Sequence, residues 1–258
     1  MPRLQVESDV SLRYEDVGDG PPVVLVHGWP LSLRFWEPQI GALVTAGHRV
    51  VCYDRRGFGR SSQPWNGYDL GTFTADLAAL IENLNLIEPA LVGFSTGCAE
   101  AVSYAAASGR VARLVLGSPV VYADPLAHEL LIASRRHRIP MLDDVLLRFF
   151  AVDGRGTLDE PTRQYLLRQA ADASAKATAD SLAAWGAADP GADLGHLAAP
   201  TLIIQGERDA FVALEDSGAR VARAIAGSSA VTIPDAPHGA PFTHHEQWNE
   251  LILEFLAT

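Results

Sequence analysis

The sequence predicts an α/β fold, in which a mostly parallel, doubly wound sheet carries helices on both faces and a helical cap is inserted between core strands. Three observations support this fold class. Short, nearly continuous apolar runs recur along the chain, as is typical of strands buried on both faces. Stretches with helical periodicity separate these runs. One long segment in the second half of the chain contains no such run.

The predicted core strands are rich in β-branched residues or leucine and end close to glycine, aspartate or proline; they span residues 23–26, 48–53, 90–92, 113–116, 201–205 and 229–233. The predicted helices that alternate with them span residues 35–46, 72–84, 98–107, 216–225 and 247–256. Because strand and helix alternate, we expect parallel strands that are joined by crossover helices.

Residues 119–196 interrupt this alternation and are rich in alanine, leucine and arginine. Some of their apolar positions recur with the spacing of a helix that buries one face, at Leu142, Val145, Leu146, Phe149 and Phe150. We therefore predict a core formed by residues 1–118 and 197–258, with residues 119–196 as a helical cap rather than an independent domain. Such a cap would cover the carboxyl edge of the sheet, where open α/β sheets bind ligands.

The composition excludes several classes of function. The chain has 258 residues and a formal net charge of −11, from 20 Lys and Arg against 31 Asp and Glu. An acidic surface repels phosphate groups, so we expect neither a nucleic-acid partner nor an anionic membrane. No apolar run reaches the length of a signal peptide or a membrane span, and we expect a cytoplasmic protein. Cys52 and Cys98 fit no disulfide framework and no metal motif. The sequence is also compatible with a homo-oligomer.

The strongest local signal is Gly93-Phe94-Ser95-Thr96-Gly97, which lies between a predicted strand and a predicted helix. This G-x-S-x-G pattern is typical of a nucleophile elbow in that context. A strand that turns abruptly into a helix holds the serine in a strained conformation, and side chains two positions away on either side would collide. We therefore predict that Ser95 is a nucleophile, with the N-terminus of the following helix stabilising negative charge beside it.

A serine nucleophile needs a general base and a third group that orients the base. In this pattern the chain order is serine, acid, histidine. His238 follows the last predicted strand and is the expected base, whereas the late histidines His244 and His245 are interpreted as surface or capping residues.

Asp209 is the expected acid, because it follows the predicted strand 201–205 at the edge of the sheet where it could reach the imidazole. Glu207, two residues earlier, and Asp124, after the strand 113–116, are the alternatives. A buried carboxylate at this position would fix the tautomer of the imidazole and stabilise the imidazolium.

Acyl transfer also needs hydrogen-bond donors for an oxyanion. The residue after the nucleophile supplies one backbone N–H, here that of Thr96, and the loop after the strand 23–26 supplies another. Trp29 is the expected second donor, because Pro30 has no N–H. The Trp29 ring would also bound the substrate pocket, and we predict that Val120 and Phe211 line it.

Five segments occur in a characteristic order: His27-Gly28-Trp29-Pro30, residues 53–62, the elbow, Gly206-Glu207-Arg208-Asp209 and Pro237-His238-Gly239. Together they resemble the α/β-hydrolase superfamily, most closely its cofactor-free non-haem haloperoxidase and arylesterase branch. The resemblance covers the predicted core and not the cap. It implies Ser95, Asp209 and His238 as catalytic residues and the amides of Trp29 and Thr96 as the oxyanion hole.

The resemblance also implies the activity. Similar proteins hydrolyse carboxylic esters through an acyl-enzyme, and many convert carboxylic acids to peracids, which oxidise halide with no metal or other cofactor. The expected partner is therefore a small-molecule ester or carboxylic acid. Hydrolysis of a lactam, lactone or amide on the same three residues is an alternative, and a non-catalytic homologue that binds a ligand is another.

Two residues depart from the family pattern at the elbow. The family usually has Ser-Met-Gly-Gly, whereas this chain has Ser95-Thr96-Gly97-Cys98. Thr96 retains the backbone N–H but places a β-branched hydroxyl near the expected oxyanion. Cys98 replaces a small glycine where the elbow helix packs, so we expect it to narrow the space beneath the elbow.

Overall fold

An eight-stranded sheet forms the centre of the fold in the computed structural model, which describes residues 2–258. The strands in chain order are β1 (Arg3–Glu7), β2 (Val10–Val17), β3 (Pro22–Val26), β4 (Arg49–Tyr53), β5 (Ala90–Phe94), β6 (Arg113–Gly117), β7 (Ala151–Val152), β8 (Arg155–Gly156), β9 (Thr201–Gly206) and β10 (Ser229–Ile233). The order across the sheet is β1-β2-β4-β3-β5-β6-β9-β10, and β7 and β8 form a separate short hairpin.

Helices connect and cover the strands. They are α1 (Glu37–Thr45), α2 (Leu70–Asn83), α3 (Gly97–Ser108), α4 (Pro125–Phe149), α5 (Glu160–Asp172), α6 (Ala175–Ala187), α7 (Gly218–Ala224), α8 (Ala240–Thr243) and α9 (His245–Ala257), with 3₁₀ helices at Leu33–Trp36 and Pro190–His196. Within the described chain, no helix combines the length and apolar character that crossing a membrane requires.

The predicted fold class is confirmed. Across the main sheet, the six neighbouring strands β4-β3-β5-β6-β9-β10 pair in parallel. These six strands correspond to the six predicted core strands. Successive residues of β3 alternate between two cores, because Val23 and Leu25 belong to one apolar cluster and Val24 and Val26 belong to the other. A strand buried on both faces needs apolar residues at every position, and this requirement produced the continuous runs.

The two antiparallel strands at one edge were not predicted from the apolar runs. In β1 the side chains alternate between exposed and half-buried, and β2 pairs antiparallel with both β1 and β4. An edge hairpin of this kind buries little on one face, so its sequence mixes charged with apolar residues and contains no continuous run.

Helices α4, α5 and α6 and the second 3₁₀ helix lie between β6 and β9, in the segment predicted to be a cap. Helix α4 has a non-helical backbone at His137, three residues before Pro140. Proline lacks the N–H of a helical hydrogen bond and its ring crowds the preceding turn, so the helix kinks there. The assignment of residues 119–196 as a cap rather than an independent domain stays a prediction.

The loop after β4 is fixed by a buried carboxylate. Asp54 accepts hydrogen bonds from the backbone N–H of Leu33 and from that of Arg60, each at 2.8 Å. Gly59 lies directly against this carboxylate, with no room for a Cβ. Asp54 and Gly59 thus tie the loop after β4 to the loop after β3, and both loops lie beside Ser95 in the fold.

Cys98 lies in the first turn of α3, fully buried, with its Sγ 3.5 Å from the carbonyl oxygen of Gly117. Burial raises the pKa of this thiol, so it stays protonated and packs as a small apolar side chain.

We expect Cys98→Gly to lower the free energy of unfolding by about 2 kcal/mol, because it removes a buried side chain and places glycine inside a helix. The ratio of kcat/KM between a short and a long p-nitrophenyl ester should change little. Denaturant unfolding and ester kinetics measure the two effects, and Cys98→Ala separates the lost side chain from the glycine. A large change in the ester ratio at unchanged stability would contradict this prediction.

Candidate active site

Ser95 occupies the turn between β5 and α3, with a left-handed φ of +52°. Its N–H donates to the carbonyl oxygen of Gly117 at 2.8 Å, and its carbonyl oxygen accepts from the N–H of Val120 at 3.1 Å. A Cβ on Gly93 would lie 2.8 Å from the Cα of Cys98, and one on Gly97 would collide with the backbone of β3. The expected crowding around the serine is therefore present.

The structure brings Ser95, His238 and Asp209 together from the carboxyl ends of three strands. His238 Nε2 lies 3.1 Å from Ser95 Oγ, and His238 Nδ1 lies 2.8 Å from Asp209 Oδ2. The side chains of His238 and Asp209 are at most 1 % exposed. The three groups thus form one continuous hydrogen-bonded chain that is shielded from solvent.

The loop after β9 satisfies the Asp209 carboxylate. Oδ1 accepts from the backbone N–H of Phe211 at 3.0 Å and from that of Val212 at 2.9 Å. Oδ2 accepts from the Gln205 amide at 3.2 Å as well as contacting His238. A carboxylate has no proton to donate, so the His238 proton must lie on Nδ1, which leaves Nε2 free to accept from Ser95.

The alternative residues make other contacts. Asp124 caps α4 by accepting from the N–H of Leu126, and Glu207 accepts from the N–H of Asp235 at 3.3 Å. His244 contacts the neighbouring Thr243 hydroxyl, and His245 is the first residue of α9.

The two predicted oxyanion donors, the N–H groups of Thr96 and Trp29, differ in their hydrogen bonds. Within residues 2–258 the Thr96 N–H has no hydrogen-bond acceptor. The Trp29 N–H, by contrast, donates to the Thr96 hydroxyl oxygen at 2.8 Å. Arg55 Nη1 also donates to this oxygen, at 3.2 Å. The Thr96 side chain therefore occupies the position to which the Trp29 amide points.

A neutral histidine holds the loop after β3. His27 Nε2 accepts from the N–H of Arg55 at 3.1 Å, so Nδ1 carries the proton and faces the carbonyl oxygen of Gly28 at 2.9 Å. Burial, helped by the nearby Arg55 charge, lowers the pKa of His27 to about 3. The ring thus acts as an uncharged link between the loops after β3 and β4.

Arg55 forms a buried ion pair beneath this site. Its Nε contacts a carboxylate oxygen of Glu100 on α3, and the Tyr53 hydroxyl donates to the other oxygen at 3.0 Å. Burial raises the pKa of Glu100, and the Arg55 guanidinium opposes that shift. The guanidinium also lies 4.2 Å from the centre of the Phe73 ring. Sequence reasoning missed Arg55, although its place just after β4 was a usable signal.

A small, mainly apolar cavity adjoins the elbow. Its lining includes Trp29 and Val120, together with Thr96, Arg55, Phe73 and Trp185. The space open to the centre of a water molecule is about 40 Å³, where one water needs roughly 10–15 Å³. Ser95 and His238 do not line this cavity, and both are buried.

Phe211 is not part of this lining; its ring centre lies 5.0 Å from that of His238. Phe149 from α4 packs on the same imidazole at 4.6 Å. Phe149 and Trp185 belong to the divergent segment between β6 and β9, where no motif marked them. The base is therefore covered by aromatic rings from two parts of the chain.

Comparisons with known proteins agree with this geometry. Residues 23–251 match the family described as the alpha/beta hydrolase family. The chain is 34 % identical to a non-heme chloroperoxidase of Streptomyces lividans over 99 % of both chains. It is 32 % identical to a bifunctional esterase/perhydrolase of Acinetobacter calcoaceticus over 98 % of both. The solved structure of a bromoperoxidase from Bacillus anthracis is similar with a TM-score of 0.96 and 40 % identity, covering 100 % of this chain and 99 % of that one.

The low pKa of His27 predicts a pH dependence of stability. A histidine with a lowered pKa in the fold takes up a proton more readily when unfolded, so stability is lost as the pH falls from 6.5 towards 3. We expect His27 alone to contribute a loss of about 2 kcal/mol between pH 7 and pH 5. In His27→Gln the amide oxygen can still accept from Arg55 but does not titrate.

Urea unfolding of both proteins at pH 7 and pH 5 measures this contribution. The variant should lose less stability on acidification than the parent chain. Equal losses in the two proteins would show that the His27 ring takes up its proton normally in the fold.

Proposed function

The chain belongs to the alpha/beta hydrolase family, and we propose that it hydrolyses carboxylic esters through an acyl-enzyme on Ser95. One observation carries this proposal: Ser95 Oγ, the His238 ring and the Asp209 carboxylate form a buried chain of contacts at 3.1 and 2.8 Å. Beside it lies the N–H of Thr96, which has no hydrogen-bond partner among residues 2–258. A nucleophile, an oriented base and an oxyanion donor are the parts that acyl transfer needs.

In the acylation step, Ser95 Oγ attacks the carbonyl carbon of the ester while its proton moves to His238 Nε2. Asp209 holds the ring in the required tautomer and stabilises the imidazolium that results. The imidazolium then gives this proton to the leaving alcohol oxygen as the tetrahedral intermediate collapses. The products of this half-reaction are the free alcohol and the acyl-enzyme.

The negative charge of the intermediate forms beside the start of α3. There the Thr96 N–H, which has no acceptor in the described part of the chain, can donate to the oxyanion, and the adjacent helix N-terminus favours an anion. Such preorganised donors lower the barrier, because they need no rearrangement as the charge develops.

Deacylation repeats these steps with a second nucleophile. Water, deprotonated by His238, attacks the acyl-enzyme and releases the carboxylic acid with Ser95 restored. Hydrogen peroxide in place of water releases a peracid, which oxidises halide after leaving the site. The similarity to a non-heme chloroperoxidase and to an esterase/perhydrolase supports this second outcome.

The size of the cavity favours esters with a short acyl group. The space open to the centre of a water molecule is about 40 Å³, bounded by Trp185, Val120 and Phe73, and corresponds to a few water molecules. The apolar walls favour an unbranched hydrocarbon chain over a charged one. We therefore propose acetate-sized to propionate-sized acyl groups.

The roles of the three residues predict the first test. Ser95→Ala should lower kcat for p-nitrophenyl acetate by at least about 10⁴-fold and abolish the burst of nitrophenol, because the acyl-enzyme cannot form. Asp209→Asn should lower kcat by about 10⁴-fold, because an amide favours the wrong tautomer of His238. Glu207→Gln, in the same loop, is the matched control and should keep the parent activity.

Pre-steady-state kinetics on the three variants decide this test. Full turnover by Ser95→Ala would overturn the proposed function. Loss of activity in Glu207→Gln together with full activity in Asp209→Asn would show that the acid is Glu207 and not Asp209.

The cavity predicts a second test. We expect the parent chain to prefer p-nitrophenyl acetate over p-nitrophenyl hexanoate in kcat/KM. Trp185→Leu should reduce this preference, because it removes an aromatic wall of the cavity. Trp65→Leu is the matched control, since Trp65 is 75 % exposed and does not line the cavity. A preference that stays unchanged in Trp185→Leu would show that this cavity does not hold the acyl group.

A further inference from the structure

We propose that the Thr96 side-chain hydroxyl is itself an oxyanion donor, placed between the Trp29 amide and the reacting oxygen. This inference rests on the proposed function and concerns the same site. In this arrangement both the backbone N–H and the side-chain hydroxyl of Thr96 donate hydrogen bonds to the substrate oxygen. Trp29 and Arg55 are positioning residues that act through the hydroxyl.

The hydrogen bonds around Thr96 carry the argument. A threonine hydroxyl has two acceptor sites and one proton to donate. The Trp29 N–H at 2.8 Å and Arg55 Nη1 at 3.2 Å both donate to Oγ1 and so fill its acceptor sites. The proton must therefore point elsewhere, and within residues 2–258 it has no acceptor.

The local backbone offers the hydroxyl no other role. Threonine at the N-cap of a helix usually accepts a hydrogen bond from the first turn. Thr96 is the N-cap residue of α3, and its side chain makes no such bond. Its oxygen instead bonds to residues from the loops after β3 and β4, which surround the site. Thr96 also lines the small cavity proposed to hold the acyl group.

Arg55 makes this hydroxyl a stronger donor. A hydroxyl that accepts hydrogen bonds is polarised, and its own proton becomes a better donor. The guanidinium brings a positive charge to Oγ1, and the buried pair with Glu100 fixes its position. The His27 ring, which accepts from the Arg55 backbone, secures the same residue. A charge that develops on the substrate oxygen would thus be stabilised by Arg55 through one hydroxyl.

A competing explanation makes the opposite prediction. If the Thr96 hydroxyl merely covered the Trp29 N–H, it would have to move aside before that amide could reach the oxyanion. Removing the hydroxyl would then leave the rate unchanged or raise it. If the hydroxyl donates, its removal weakens binding of the transition state more than binding of the ester.

Thr96→Val is the decisive variant, because valine keeps the shape and loses the hydroxyl. We expect kcat for p-nitrophenyl acetate to fall by about 10²- to 10³-fold with little change in KM, as for the loss of one oxyanion donor. Affinity for a trifluoromethyl ketone, which forms an anionic adduct with serine, should fall by a similar factor. Thr96→Ser retains the hydroxyl and should keep most of the activity. Thr201→Val is the control for losing a buried hydroxyl elsewhere, and its kcat should match that of the parent.

A Thr96→Val enzyme as fast as the parent, or faster, overturns the proposal. If that variant does not fold, Thr96→Ala decides the question in the same way: a fall in kcat supports a donating hydroxyl, and an equal or higher kcat refutes it. The two levels of inference fail separately. Full activity in Ser95→Ala refutes the proposed function, whereas an inactive Ser95→Ala beside a fully active Thr96→Val refutes only the role of the hydroxyl.

Discussion

The left-handed turn at Ser95 is the constraint on which the rest of the site depends. A non-glycine residue at a φ of +52° is strained and persists only where its surroundings fix it. Here β6 and the segment after it bond to both the N–H and the carbonyl oxygen of Ser95. Gly97 lets α3 pack closely against the end of β3, and Gly93 lets the first turn of α3 pack closely against β5. These contacts with the sheet stabilise the strained turn, and the turn places the Ser95 hydroxyl against the imidazole.

Parallel topology explains how distant residues meet at this turn. Ser95 follows β5, Asp209 follows β9 and His238 follows β10, so each lies at the carboxyl end of its strand. Parallel strands place these ends along one edge of the sheet. The loops after β3 and β4 reach the same edge, with Trp29 and Arg55. Residues that are far apart in the sequence therefore lie close together because their strands end at the same edge of the sheet.

Much of this arrangement could be predicted from the sequence, because the strands are buried on both faces and leave continuous apolar runs. The antiparallel strands β1 and β2 could not, since charged and polar residues interrupt their apolar positions and leave no continuous run. The contact from the Trp29 N–H to the Thr96 hydroxyl was also out of reach. It depends on a side-chain torsion and on a loop brought close only by folding. Helical periodicity identified Phe149 as a buried position but not its contact with His238, and Trp185 was missed because its segment carries no motif.

Helix α4 contacts the general base, and this contact joins the segment between β6 and β9 to the catalytic residues of the core. Phe149 packs on the His238 ring, and its carbonyl oxygen accepts from the N–H of Gly239 at 2.8 Å. Grafting the region between β6 and β9 from another hydrolase would therefore replace part of the support of the imidazole along with the specificity. A chimera that keeps position 149 and its backbone hydrogen bond preserves that support, and the remaining insert is open to redesign.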